Sequence, residues 1–70
     1  MDYISIALKE EYTYNLYYAL KSLSSLSDEI IAETACIAYN FAQAKEILDM
    51  IEFDEYETVD EAFDYLTRFD

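Results

Sequence analysis

Not one of the 70 residues is glycine or proline. Glycine enters left-handed backbone without a steric penalty, and the tight hairpin turns of antiparallel sheets depend on it. Here any turn that needs a positive φ has to use Asn, Asp or Ser. Most β-hairpin signals are therefore missing, and the composition favours a few long helices over many short strands. Apolar residues make up 54% of the chain, enough to bury a core and too many for a disordered acidic tail.

A chain of this length forms one domain with one modest core. Domains below about 70–80 residues usually gain stability from disulfides, a metal or a second subunit. Cys36 is the only cysteine, so no internal disulfide can form. It lies in an apolar run and reads as a small buried hydrophobe, and a single thiol fits a reducing compartment. No histidine is present, which removes the usual ligands for zinc and haem. Self-association is the remaining staple, and a homodimer is expected.

The hydrophobic spacing predicts an all-α three-helix bundle, with residues 1–70 as a single domain. Ile4, Leu8, Tyr12, Leu16, Ala19, Leu23 and Leu26 recur every three or four residues and mark a first helix near 3–24, with Asp2 as N-cap. Tyr3 to Leu8 also alternates, so a short N-terminal strand is an alternative there. Ser24, Ser25 and Ser27 place a turn at about 24–27, and Ser27 then caps a second helix. That helix is predicted over 28–52, with Ile30, Thr34, Ile37, Phe41, Ala44, Leu48 and Ile51 in a heptad seam. Ile31, Ala35, Ala38 and Ala42 run beside the seam, so this helix should be the most buried. Residues 53–57 form an acidic connector, and Thr58 with Glu61 makes a capping box for a third helix near 58–69. Val59, Ala62, Phe63, Leu66 and Phe69 supply its apolar stripe.

Charge is the second strong constraint. Sixteen acids against four bases give a net charge of −12. Residues 49–70 hold nine of the acids, Asp49, Glu52, Asp54, Glu55, Glu57, Asp60, Glu61, Asp64 and Asp70, against Arg68 alone. Like charges repel at helical i, i+4 spacing, and no lysines are interleaved to relieve them. A solvated helix face is the plain reading of such a run. Its density favours a surface kept for a basic partner. Twelve net charges along a helix of about 36 Å approach the charge density on one face of a DNA duplex of that length. An anionic surface repels nucleic acid and anionic membranes, so neither is an expected direct ligand. The candidate partner-binding residues are Asp49, Glu52, Asp54, Glu55, Tyr56, Glu57, Asp60, Glu61 and Asp64.

Eight tyrosines form the other anomaly. Tyr12 falls on the core stripe of the first predicted helix. Tyr3, Tyr14, Tyr17 and Tyr18 fall on its opposite face near Ala7. They line either a second buried side or a second candidate interface, since tyrosine gives large contact area at low entropic cost.

Catalytic signals are absent. No Ser–His or Cys–His pair can exist without histidine, and no phosphate loop can exist without glycine. The calcium-loop pattern is missing, and a carboxylate dyad needs a pocket that a bundle of this size hardly provides. The protein is expected to be a non-enzyme without cofactor or bound metal. No apolar run reaches membrane-spanning length and the first residues lack a basic region, so a cytoplasmic location is expected.

Small size, extreme acidity and abundant Tyr and Asp resemble the anti-defence proteins of phages and mobile elements, including anti-CRISPR and DNA-mimicking anti-restriction proteins. The resemblance is of composition over the whole chain, with Glu52 to Asp64 around Tyr56 the part most like their mimic surfaces. It implies an inhibitor whose acids occupy the groove of a basic nucleic-acid-binding protein, a nuclease or a CRISPR effector, in the host cytoplasm. Nuclease-immunity proteins are similar in size and acidity, and the Tyr17–Tyr18 pair resembles theirs. That leaves an immunity protein or antitoxin, or a dimeric helical regulatory module, as alternatives.

Overall fold

The computed structural model describes residues 2–53 and 56–68, and these are all-helical with no strand. Five helices follow in order: α1 (Tyr3–Lys9), α2 (Glu11–Lys21), α3 (Asp28–Ile37), α4 (Phe41–Glu52) and α5 (Val59–Thr67). The alternation over 3–8 is helical, not extended. Asp2 caps α1 as expected, accepting the Ser5 backbone N–H at 3.2 Å and the Ser5 hydroxyl at 2.6 Å.

The predicted three-helix count is corrected to five, because both long helices break. The first breaks at Glu10, whose φ of −101° and ψ of 125° are extended. The second breaks at Ala38 to Asn40, also extended. A straight helix over 28–52 would run about 37 Å at 1.5 Å per residue. The folded chain measures 30 × 25 × 22 Å, so the break lets both halves lie against one core. Asn40 restarts the chain as the N-cap of α4, accepting from Gln43 N–H at 2.8 Å, while the Gln43 side chain accepts from Tyr39 N–H at 2.6 Å. This is a reciprocal cap of the capping-box kind. The turn at 24–27 and the Ser27 and Thr58 caps form as read from the sequence.

α3 packs against each of the other four helices. It buries Ile31, Ala32, Thr34 and Ala35, and α4 buries Ala44, Ile47, Leu48 and Ile51. The Thr34 hydroxyl is satisfied by donating to the Ile30 carbonyl at 2.8 Å. Most of the core thus lies in 28–52, as expected, but the seam is only partly right. Ile30 and Ile37 are half-buried and Phe41 is 42% exposed. The break at 38–40 rotates α4 relative to α3, so a heptad continued across it no longer faces one direction. Ile47, placed off the seam, is fully buried.

The break at Glu10 reassigns the first predicted helix in the same way. Leu8, Tyr12 and Leu23, on the predicted core stripe, are exposed. Ala7 and Tyr17, from the opposite face, are buried beside Leu16 and Leu20. Two short helices therefore pack on α3 where one long helix was expected, and the second buried side is found only at Ala7 and Tyr17. Cys36 is half-buried, its thiol 3.8 Å from the Tyr3 carbonyl.

Candidate functional site

The acidic segment begins at the end of α4 and continues along α5. Asp49, Glu52, Glu57, Asp60, Glu61 and Asp64 are all exposed. Asp54 and Glu55 lie outside the described residues, as do Phe69 and Asp70. The exposed acids divide into two kinds by what their carboxylates hold.

Glu52 and Glu61 hold the backbone in place. One Glu52 oxygen accepts from the Ser24 hydroxyl at 2.6 Å and the Ser25 N–H at 3.3 Å, fastening the α2–α3 turn to the end of α4. Glu61 accepts from Glu57 N–H at 3.4 Å, and its own N–H donates to Thr58 Oγ1 at 3.1 Å. The capping box thus forms, with its return bond one residue earlier than the usual pattern. Asp49 stands 4.0 Å from Lys45, a solvated i, i+4 pair.

Asp60 belongs to a second group. α5 packs on α3, and the Asp60 charge is felt by Glu33 and by Tyr3. Burial pushes the Glu33 carboxyl above its ordinary value, and the like charges of Asp60 and Glu29 push it further. Burial likewise raises the Tyr3 phenol, with Glu33 and Asp60 adding to it. The Cys36 thiol is raised by burial first and by Glu33 second, which suppresses its thiolate. Glu29 and Glu33 were not among the residues singled out from the sequence. They stand i, i+4 on α3, but nothing local reveals that α5 brings Asp60 to them.

Tyr56 is half-buried and packs against the core, its ring 5.1 Å from that of Tyr65. The four tyrosines of the second candidate interface do not share one exposed face. Tyr17 is buried, and Tyr3 is half-buried against the core. Tyr14 and Tyr18 remain exposed, with ring centroids 4.8 Å apart. Lys21 stands 5.8 Å from the Tyr17 ring and 5.9 Å from the Tyr18 ring, and 3.7 Å from Asp28.

Among the described residues no three His, Cys, Asp or Glu side chains gather as metal ligands, and no helix is long and apolar enough to cross a membrane. Comparison with protein families, curated proteins and solved structures finds no match to this chain.

Proposed function

We infer that this protein binds the basic surface of a nucleic-acid-binding partner, with its carboxylates standing in for phosphates. The observation that carries the reading is the crowding of like charge around half-buried Glu33, where α5 packs on α3 and the charges of Asp60 and Glu29 both act on it. Such an arrangement opposes folding, and a cationic partner would relieve it. Within the acidic segment, Glu57, Asp60 and Asp64 are exposed and have neither a carboxylate hydrogen bond nor an ion pair among the described residues, and they are assigned the role of phosphate mimics. Glu52 and Glu61 are assigned to structure. The partner class is a nuclease or a nucleic-acid-guided effector, by the compositional resemblance to anti-defence inhibitors, and the action is occupation of its groove.

The test is competition. Affinity capture from a host lysate at low salt should recover a basic partner. Association should be fast, weaken steeply as salt rises, and be displaced by that partner's own DNA or RNA. Reversal of Glu57, Asp60 and Asp64 together to lysine should abolish capture. Binding that ignores both salt and competing nucleic acid would refute this function and direct attention to Tyr14 and Tyr18.

A further inference from the structure

The outer face of α4 carries a groove that the acidic-surface reading does not use. Glu46, Asp49, Met50 and Phe53 line a shallow pocket of about 250 Å³. They stand at i, i+3, i+4 and i+7, one stripe of the helix. Met50 packs on the core from below, while Phe53 is 78% exposed at the end of the helix. A second pocket adjoins it and shares Glu46. Its walls include Tyr39, which is 72% exposed, and Leu66 of α5. The two together give a track about 17 Å long from residue 42 to residue 53, the length of a three-turn helix.

We propose that this groove is the seat of a cationic amphipathic segment of a partner protein, with an apolar side chain set between Met50 and Phe53 and basic side chains paired to Glu46 and Asp49. Charge complementarity selects the occupant. Glu46 makes no ion pair among the described residues, and Asp49 has only the 4.0 Å contact with Lys45. A second copy of the chain would bring another net charge of −12 to an acidic rim, and in a two-fold contact would place like charges against each other. Nucleic acid and anionic membrane are repelled for the same reason. An amphipathic helix fits the length of the track, with apolar anchors against Met50 and Phe53 and polar side chains along Asn40, Gln43 and Glu46. The proposal deepens the reading above, since it keeps a basic partner and adds the apolar anchor that gives residence time.

The protein has no tryptophan, so a peptide's tryptophan reports binding without background. The probe is a helical peptide of lysine and leucine carrying one tryptophan, matched by a lysine–serine peptide of equal charge. The lysine–leucine peptide should bind more tightly, and Phe53→Ser should weaken it about tenfold, the size expected for an interface anchor. Glu46→Lys with Asp49→Lys should weaken it more than Asp60→Lys with Asp64→Lys, although both pairs change the net charge equally. Helical circular dichroism of Phe53→Ser checks folding, and Met50→Gln repeats the test at the floor. Salt-sensitive binding that is unchanged in both single variants, or equal for the two peptides, would overturn the groove and leave the acidic-surface reading standing. If neither peptide binds at low salt, that reading falls too. A dimer by sedimentation that Phe53→Ser dissociates would overturn the proposal in favour of a second copy.

Discussion

Ser24 and Glu52 stand 28 residues apart in sequence and are joined by a 2.6 Å hydrogen bond from hydroxyl to carboxylate. The same carboxylate accepts the Ser25 N–H, and Ser24 Oγ accepts from Leu26 N–H at 3.1 Å. A turn without glycine or proline is thus held by side chains. Glu52→Ala should destabilise the fold by about 1 kcal/mol, a drop of roughly 4–8 °C in Tm. Glu57→Ala, at an exposed acid with no such role, should stay within about 0.5 kcal/mol. Thermal unfolding of the two variants separates structural acids from surface acids.

The cap of α5 gives a second check. Thr58 accepts from Glu61 N–H, so Thr58→Ala should cost about 1 kcal/mol and Thr58→Ser much less. Urea midpoints at constant m would measure it.

Helix phase is tested at Tyr17 and Tyr18. Tyr17 is 4% exposed and Tyr18 48% exposed, although they are neighbours. Tyr17→Ala should cost about 3–5 kcal/mol, as expected for truncating a buried aromatic, and Tyr18→Ala under about 1 kcal/mol. The reverse ranking would restore a continuous first helix with Tyr17 outward.

Glu33 makes the fold pH-dependent. Its folded pKa is raised above the ordinary 4.5, so the native state binds more protons than the unfolded chain between those two values. This group therefore opposes folding fully above its folded pKa, and the penalty fades as pH falls through that value. Glu33→Gln should raise Tm at pH 7 and raise it less at pH 4. Asp2 works the other way, because its bond from the Ser5 hydroxyl lowers its pKa and its contribution is lost on acidification. Comparing Glu33→Gln with wild type at each pH cancels that background.

Relief of repulsion should be visible without any partner. Lysine at 57, 60 and 64 together should raise the melting temperature at low salt and lose that gain at high salt, as charges separated by more than ~8 Å become screened near physiological ionic strength. A lowered melting temperature would mean that these acids hold the fold.

The all-helical class was determined by the sequence itself, through the absence of glycine and proline and the three-to-four-residue recurrence of apolar side chains. So were the caps at Asp2, Ser27 and Thr58, because a cap is a bond between residues three apart and needs no distant partner. The break before α4 had a local sign of the same sort, Asn40 and Gln43, hidden inside an apolar run that favours one helix. The break at Glu10 has no side-chain cap and no such sign. It follows from packing, since two short helices cover α3 where one straight helix would leave its far end in solvent. Tertiary structure alone decided that Tyr17 is buried while Tyr12 is exposed, and that Glu52 holds a turn. It alone brought Asp60 to Glu33. Each depends on helices placed side by side from distant parts of the chain, and periodicity fixes only which residues share a face, not what that face meets.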